Sequence, residues 1–445
     1  MLGALLATAY TAVFLLAIHK LKFFGGPGLG KRFLLGMFVL KVLAGTAVWW
    51  LYTYYYTVRT DADIYKFFDS GNVMYEALWT NPGDFFRMLF GIANDSPYFD
   101  KTYYIRINHW YREYESNLYN DAHTMIRFNA FVRIFSFGHY HVHTVVICFL
   151  SLIGLVSMHK AFAPLLPGKE KALAIALFLL PGVLFWGSAV IKESLLMFGL
   201  GVFLLQTFRL MQGNWSIWRL LALVATMLLL LVLKFYVLAC MLPGLLALVI
   251  CHRWKPRRSA WVFAMAIGLC LLLGANLQMI APDFDLVYLF SVKQKDMYGL
   301  AQATSAGSVV YVPRLSGEVW TFFAAAPVAF FNAFLGPTLL LKGGAMAIVP
   351  AVENIVLITV LVIAIVYRKR TGIAWPMLWF CVSYCVLLLL IIGWTTPVMG
   401  ALVRYRVPVL PFLALIALLV VDLERLVARW PWMRVLLGDE QGLRP

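Results

Sequence analysis

Three aspartates, Asp61, Asp63 and Asp69, open a polar stretch, RTDADIYKFFDSGNVMYEAL, that directly follows a long apolar run. A carboxylate at a membrane edge can take the proton of an acceptor hydroxyl, at about the height where a lipid-linked phosphate leaving group sits. Arg59 and Lys66 already serve solubility, which leaves Asp61 and Asp63 as candidate bases. The plainer alternative is a solvated loop start in which both merely neutralise Arg59 and Lys66. Three further turns between apolar runs carry cations: Lys192 and Glu193 in FWGSAVIKES, Lys234 and Tyr236 in LKFYVL, and Arg404, Tyr405 and Arg406 in ALVRYRVP. A charge in such a place must find a partner or water, so these are candidate substrate-binding residues. Arginine suits bidentate phosphate contact and lysine acts as a point charge, with snorkelling to headgroups as the alternative.

Other signals are weaker. Glu353 and Asn354 could pair with one of those cations. His139, His141 and His143 recur at a spacing of two, which suits an extended segment better than a helical metal face, and no metal site is expected. The six cysteines all lie in or beside apolar runs, arguing against a disulfide framework or a zinc site. Tyrosine and tryptophan crowd segments such as WWLYTYYY and HWYREY, as in an interfacial belt, although loop rings could also stack on sugars. Neither GxxxxGKS nor GxGxxG occurs, so nucleotide-driven transport and dinucleotide chemistry have no support.

The elements that must position these residues follow from composition. Of 445 residues 62% are hydrophobic and 13% charged, far from the ~25% charged residues of a soluble domain. A soluble protein is excluded, and an all-α polytopic membrane protein is expected. Apolar runs at 3–19, 34–56, 143–158, 172–190, 194–208, 220–233, 236–251, 260–280, 350–367, 374–393 and 405–421 predict about eleven crossings of about 20 residues each. The net charge of +16 collects at alternate ends of these runs. That is the positive-inside pattern, with the N-terminus outside and the C-terminal tail, including Arg425, Arg429 and Arg434, in the cytoplasm. Membrane lipids rather than nucleic acid are then the anionic surroundings. No cleavable signal peptide is evident, because the first run lacks a basic start.

A single membrane domain, 1–445, thus carries two long outer segments. Residues 57–141 are rich in Asp, Tyr, Trp and Arg, and are expected to fold as surface helices. Residues 281–349 include an apolar stretch, Val319 to Leu341, broken by Pro327, Gly336 and Pro337, which reads as a re-entrant or interfacial hairpin beside a cavity.

The acidic first loop, the many spans and the late RYRVPVLPFL together resemble the GT-C glycosyltransferases, membrane enzymes that use polyprenyl-phosphate-linked sugars. In that superfamily the first outer loop carries an Asp motif followed by Tyr, matched here by Asp61, Asp63 and Tyr65, and many members have an R-Y-x-x-P start to a late span, matched by Arg404, Tyr405 and Pro408. KFYVLACMLPG, FNAFLGP and PAVEN look like segments of uncharacterised bacterial proteins loosely associated with it. The resemblance covers about 40 residues as motif, and departs from the family in placing an extra helix before the motif loop. It implies an enzyme of a bacterial inner membrane that uses no cofactor. The sugar would pass from a polyprenyl-phosphate donor to an extracytoplasmic glycan, lipid or protein acceptor in cell-envelope polysaccharide assembly. Asp61 or Asp63 would be the base, and Lys192, Lys234, Arg404 and Arg406 would hold the phosphate. A polysaccharide polymerase or ligase, relying on Arg106, Arg112, Arg127, Arg133 and His139, is one alternative. A lipid-linked-sugar flippase or transporter is the other.

Overall fold

A computed structural model describes residues 1–56, 58–108, 110–111, 120–338 and 347–433, and these are helical apart from turns and three isolated bridges. Arg112 and Arg434 lie outside the described residues. Helices α1 (Leu2–Lys20) and α2 (Lys31–Tyr54) precede α3 (Asp63–Thr80), α4 (Pro82–Phe90), α5 (Pro97–Thr102) and α6 (Ala122–Ser136). Next come α7 (Tyr140–Phe162), the short pair α8 (Glu170–Phe178) and α9 (Pro181–Trp186), α10 (Lys192–Met211) and α11 (Ile217–Trp254). The remainder holds α12 (Ser259–Ala275), α13 (Leu286–Ala303), α14 (Val319–Leu335), α15 (Ile348–Val366), α16 (Trp375–Thr395), α17 (Met399–Tyr405), α18 (Leu410–Val420) and α19 (Leu423–Arg429).

Seven of the described helices are long and apolar enough to cross a membrane: α1, α2, α7, α10, α11, α15 and α16. The pair α17 and α18, bent by 58°, makes an eighth if taken as one span. This is fewer than the eleven apolar runs, for local reasons. The run 172–190 is interrupted before Pro181, where the preceding residue is pushed out of helical geometry, giving the 9- and 6-residue helices α8 and α9. Helix α12 has only 17 residues. Runs 220–233 and 236–251 are the two halves of α11, joined at Lys234, whose φ of −156° and ψ of 83° are not helical. The first half lies along α10, with Leu229 and Leu230 against Gly199, and the second along α16, with Gly244 against Phe380 and Ser383. Lys234 therefore occupies a corner.

The centre of the bundle is the close crossing of α7 and α10. A Cβ on Gly201 would stand 1.9 Å from the Gly154 carbonyl oxygen, so only glycine permits this approach. Around it pack Phe162, Phe208, Phe380 and Phe412, whose rings meet edge to face. Helix α14 runs beside α16, where Ala329 approaches Gly393 and the Trp394 indole donates to Phe322 O at 3.1 Å. It ends inside the bundle, where Asn354 Nδ2 donates to the carbonyls of Leu335, Gly336 and Pro337.

Helices α3 to α6 form a cap with its own core of Phe67, Met74, Phe85, Phe99, Met125 and Ile126, continuous with Leu195 of α10 and Leu233 of α11. The cap's aromatic side chains are divided, with Phe67, Phe85, Phe99, Tyr104 and Trp110 in this core and Trp79, Phe86, Phe90 and Tyr98 exposed. Tyr104 stacks on Trp110 at 3.9 Å, and Trp110 on His123 at 3.8 Å. The histidine run is helical from Tyr140 onward, which corrects its reading as an extended segment. Residues two apart on a helix point about 200° from each other. His141 accordingly meets the Trp49 ring, while His143 bridges Ser136 and Asn129 at 2.7 and 2.8 Å.

Candidate functional site

Two carboxylates of the site stand in the first turns of helices, and its arginine stands in a last turn. Asp63 begins α3, Glu193 is the second residue of α10, and Arg404 is next to the end of α17. Negative charge near a helix N-terminus and positive charge near a C-terminus are both favoured by the aligned peptide dipoles. The chain pins α17 through a short antiparallel pairing. Val310 N donates to Pro397 O at 2.8 Å, and Met399 N to Ser308 O at 2.9 Å.

Arg404 joins the two acids. Its Nη1 donates to Asp63 Oδ2 at 2.6 Å and its Nε to Glu193 Oε1 at 3.0 Å. Glu193 Oε1 also accepts from Lys234 Nζ at 2.8 Å, so the corner of α11 delivers its ammonium to the same carboxylate. Glu193 is fully buried and Lys234 is 5% exposed. Lys234 Nζ sits 4.0 Å from the Tyr405 ring centroid, and the Arg404 guanidinium 5.6 Å from it. Next to this group, Lys192 Nζ pairs with Asp121 Oδ2 at 2.9 Å. Tyr52 and Tyr236 lie within electrostatic range of Glu193 and Arg404.

Burial alone would raise the pKa of Asp63, yet the charges of Arg404, Lys192 and Lys66 outweigh it and hold the carboxyl down at about 2. Asp63 is therefore a carboxylate at every physiological pH. Glu193 Oε2 is buried without a hydrogen-bond partner among the described residues.

Of the residues singled out in the sequence, Asp63, Glu193, Lys234 and Arg404 form one network, with Tyr236, Tyr405 and Lys192 around it. Two do not join. Asp61 is exposed in the turn before α3, where its amide donates to Val58 O at 3.2 Å, and so stands apart from the network that holds Asp63. Arg406, two residues beyond Arg404, leaves the helix end on the opposite side. Its Nη1 donates to Gly336 O at 2.7 Å, and its Nη2 is 3.6 Å from Glu353 Oε2. Glu353 Oε1 in turn accepts from Gly182 N, at the start of α9, at 2.6 Å. The expected pairing of Glu353 with a cation is present, but it ties the ends of α9 and α14 to α15 rather than entering the site.

The remaining arginines of the cap are dispersed. Arg59 makes a two-pronged contact with Asp69, at 2.8 and 2.7 Å. Arg106 pairs with Glu76 at 2.6 Å, Arg127 Nε donates to Met88 O and Arg133 Nη2 to Phe68 O. Asp121 is the contributor that sequence reasoning missed. It stands just before α6, where an aspartate reads as an ordinary helix cap. Among the described residues no three His, Cys, Asp or Glu side chains group as metal ligands. No known family, curated protein or solved structure matches the chain.

Proposed function

We propose that the chain is a glycosyltransferase of the GT-C kind, moving a sugar from a polyprenyl-phosphate carrier to an extracytoplasmic acceptor in a bacterial inner membrane. The observation that carries this reading is the convergence of Asp63, Glu193, Lys234 and Arg404, from four helices, in one ion-pair network where Asp63 and Arg404 keep 29% and 14% side-chain exposure. Buried charge of this density is costly in a membrane protein and marks function.

In the transfer, the acceptor oxygen bonds to the anomeric carbon as the bond from that carbon to the phosphate oxygen breaks. The acceptor proton passes to the Asp63 carboxylate, and the bonding electron pair leaves on the lipid phosphate. In this reading Arg404, Lys192 and Lys234 supply the positive charge that neutralises that phosphate. Arg404 and Lys192 already hold Asp63 and Asp121, so they would reach the phosphate by exchange of partners, while Lys234 stays on the buried Glu193 and adds its charge from behind. The descending helix α14 fits the re-entrant element of this reading, and the cap formed by α3 to α6 fits its large outer loop.

The transporter alternative draws on a different observation. The breaks between α8 and α9 and between α17 and α18 lie beside the Glu353 and Arg406 pair, and interrupted helices with buried charges are also the build of transport sites. The polymerase alternative loses ground because Arg106, Arg127 and Arg133 are spread over separate partners. Mass spectrometry of envelope glycolipids from a deletion strain separates these readings. A transferase predicts glycolipids short of one sugar together with an accumulated monosaccharide carrier. Unchanged glycolipid composition would overturn the proposal.

A further inference from the structure

The two edges of the Arg404 guanidinium face different surroundings. The Nε edge is fixed, because Glu193 accepts it at 3.0 Å, is fully buried, and is itself gripped by Lys234. The Nη1 edge faces Asp63, whose side chain keeps 29% of its exposure against 14% for Arg404. Lys192 and Lys66 also act on Asp63, so its carboxylate is the focus of three cations. A carboxylate oxygen and a phosphate oxygen take the same place on a guanidinium edge. The fold therefore holds a carboxylate where a phosphate would be bound.

We infer that the position of the Asp63 carboxylate is an anion subsite, and that Asp63 is its built-in counter-ion, displaced from Arg404 Nη1 by the phosphate of an incoming phosphate ester. This rests on the preceding reading only for the nature of the incoming group, not for the reaction that follows. Glu193 is not the exchanged partner, since its departure would leave Lys234 and Arg404 buried face to face. Asp63 is instead the first residue of α3, one residue after the exposed turn at 58–61, and its side chain is 29% exposed. The exchange has a chemical consequence. Once released from Arg404, Asp63 loses the contact that suppresses its basicity while remaining beside the phosphate ester. Proton acceptance would then depend on an occupied donor site.

The test is a binding measurement with non-reacting probes on the full chain in nanodiscs of zwitterionic lipid. Dodecyl phosphate and inorganic phosphate are titrated into the native protein and into Asp63→Asn, Asp63→Ser and Asp61→Asn. With the counter-ion gone, dodecyl phosphate is expected to bind at least about tenfold more tightly to both Asp63 variants, equal to about 1.4 kcal/mol, and unchanged to Asp61→Asn. A gain for dodecyl phosphate alone assigns the subsite to a lipid headgroup. A gain for both probes assigns it to the phosphate group irrespective of the chain, and equally supports displacement. Unchanged or weaker binding by either Asp63 variant that keeps the native unfolding temperature overturns the inference. Tighter phosphate binding without any sugar transfer would sink the glycosyltransferase reading and leave the subsite standing.

Discussion

The pair formed by Glu193 and Lys234 is the part of the site whose energetics follow most directly from its geometry. Replacing Lys234 by Met keeps the apolar stem, and leaves Glu193 Oε1 with Arg404 as its donor at 3.0 Å. Loss of one charged hydrogen bond should cost about 1.5–3 kcal/mol. Replacing Glu193 by Gln is harsher. It leaves Lys234, 5% exposed, and Arg404 without the anion between them, and removing one partner from a buried pair costs about 3–5 kcal/mol. In the double variant the Lys234 charge no longer needs compensation, so the two costs must not add. A coupling energy of at least about 1.5 kcal/mol is expected for groups sharing one buried contact. Reversible unfolding in mixed micelles, followed by tryptophan fluorescence, measures all four corners of the cycle. Additivity within about 0.5 kcal/mol would refute the reasoning, since it would mean that the two side chains do not share a desolvated ion pair.

Other consequences follow from single positions. Gly201→Leu should abolish accumulation of folded protein, because even a Cβ there would stand 1.9 Å from Gly154 O; detergent-solubilised yield by size-exclusion chromatography checks it. Asn354→Leu strands the Leu335 and Pro337 carbonyls at the end of α14, while Gly336 O keeps Arg406 Nη1, and should lower stability by about 1–3 kcal/mol. Asp63 carries a pH signature. Its carboxyl is held at about 2 in the folded protein against an ordinary 3.8, so the unfolded chain takes up the proton first as pH falls. The stability it contributes is complete above about pH 4, and is lost as pH falls towards 2. The difference in unfolding midpoint between native protein and Asp63→Asn should shrink over that interval, and a constant difference would contradict the assignment.

The helical class is legible because apolar runs of nearly 20 residues are too long for ordinary strands and match helices long enough to cross a bilayer. The number of helices able to span is less so. Pro181 cuts one run into two short helices, and Lys234 bends another, so hydropathy alone counts apolar segments rather than continuous spans. Asp63, Glu193, Lys234 and Arg404 stood out as charges at the ends of apolar runs, where each needs a partner. That they partner one another depends on how α3, α10, α11 and α17 meet in space, which no local pattern encodes. Arg406 and Asp61 share the same sequence setting without joining the network. A helix end sends residues 404 and 406 to opposite sides, and an exposed turn needs no partner for its aspartate. Asp121 carried no such signal, since an aspartate before a helix already has a local explanation.

The most direct test of the site is the appearance of free polyprenyl phosphate from a panel of polyprenyl-phosphate hexoses and pentoses, in proteoliposomes supplied with envelope extract as acceptor. The account predicts release by the native protein and by Asp61→Asn. It predicts release slowed at least ~100-fold in Asp63→Asn, as expected for loss of a general base. Release at the native rate by Asp63→Asn, or release that depends on Asp61 instead, would contradict it.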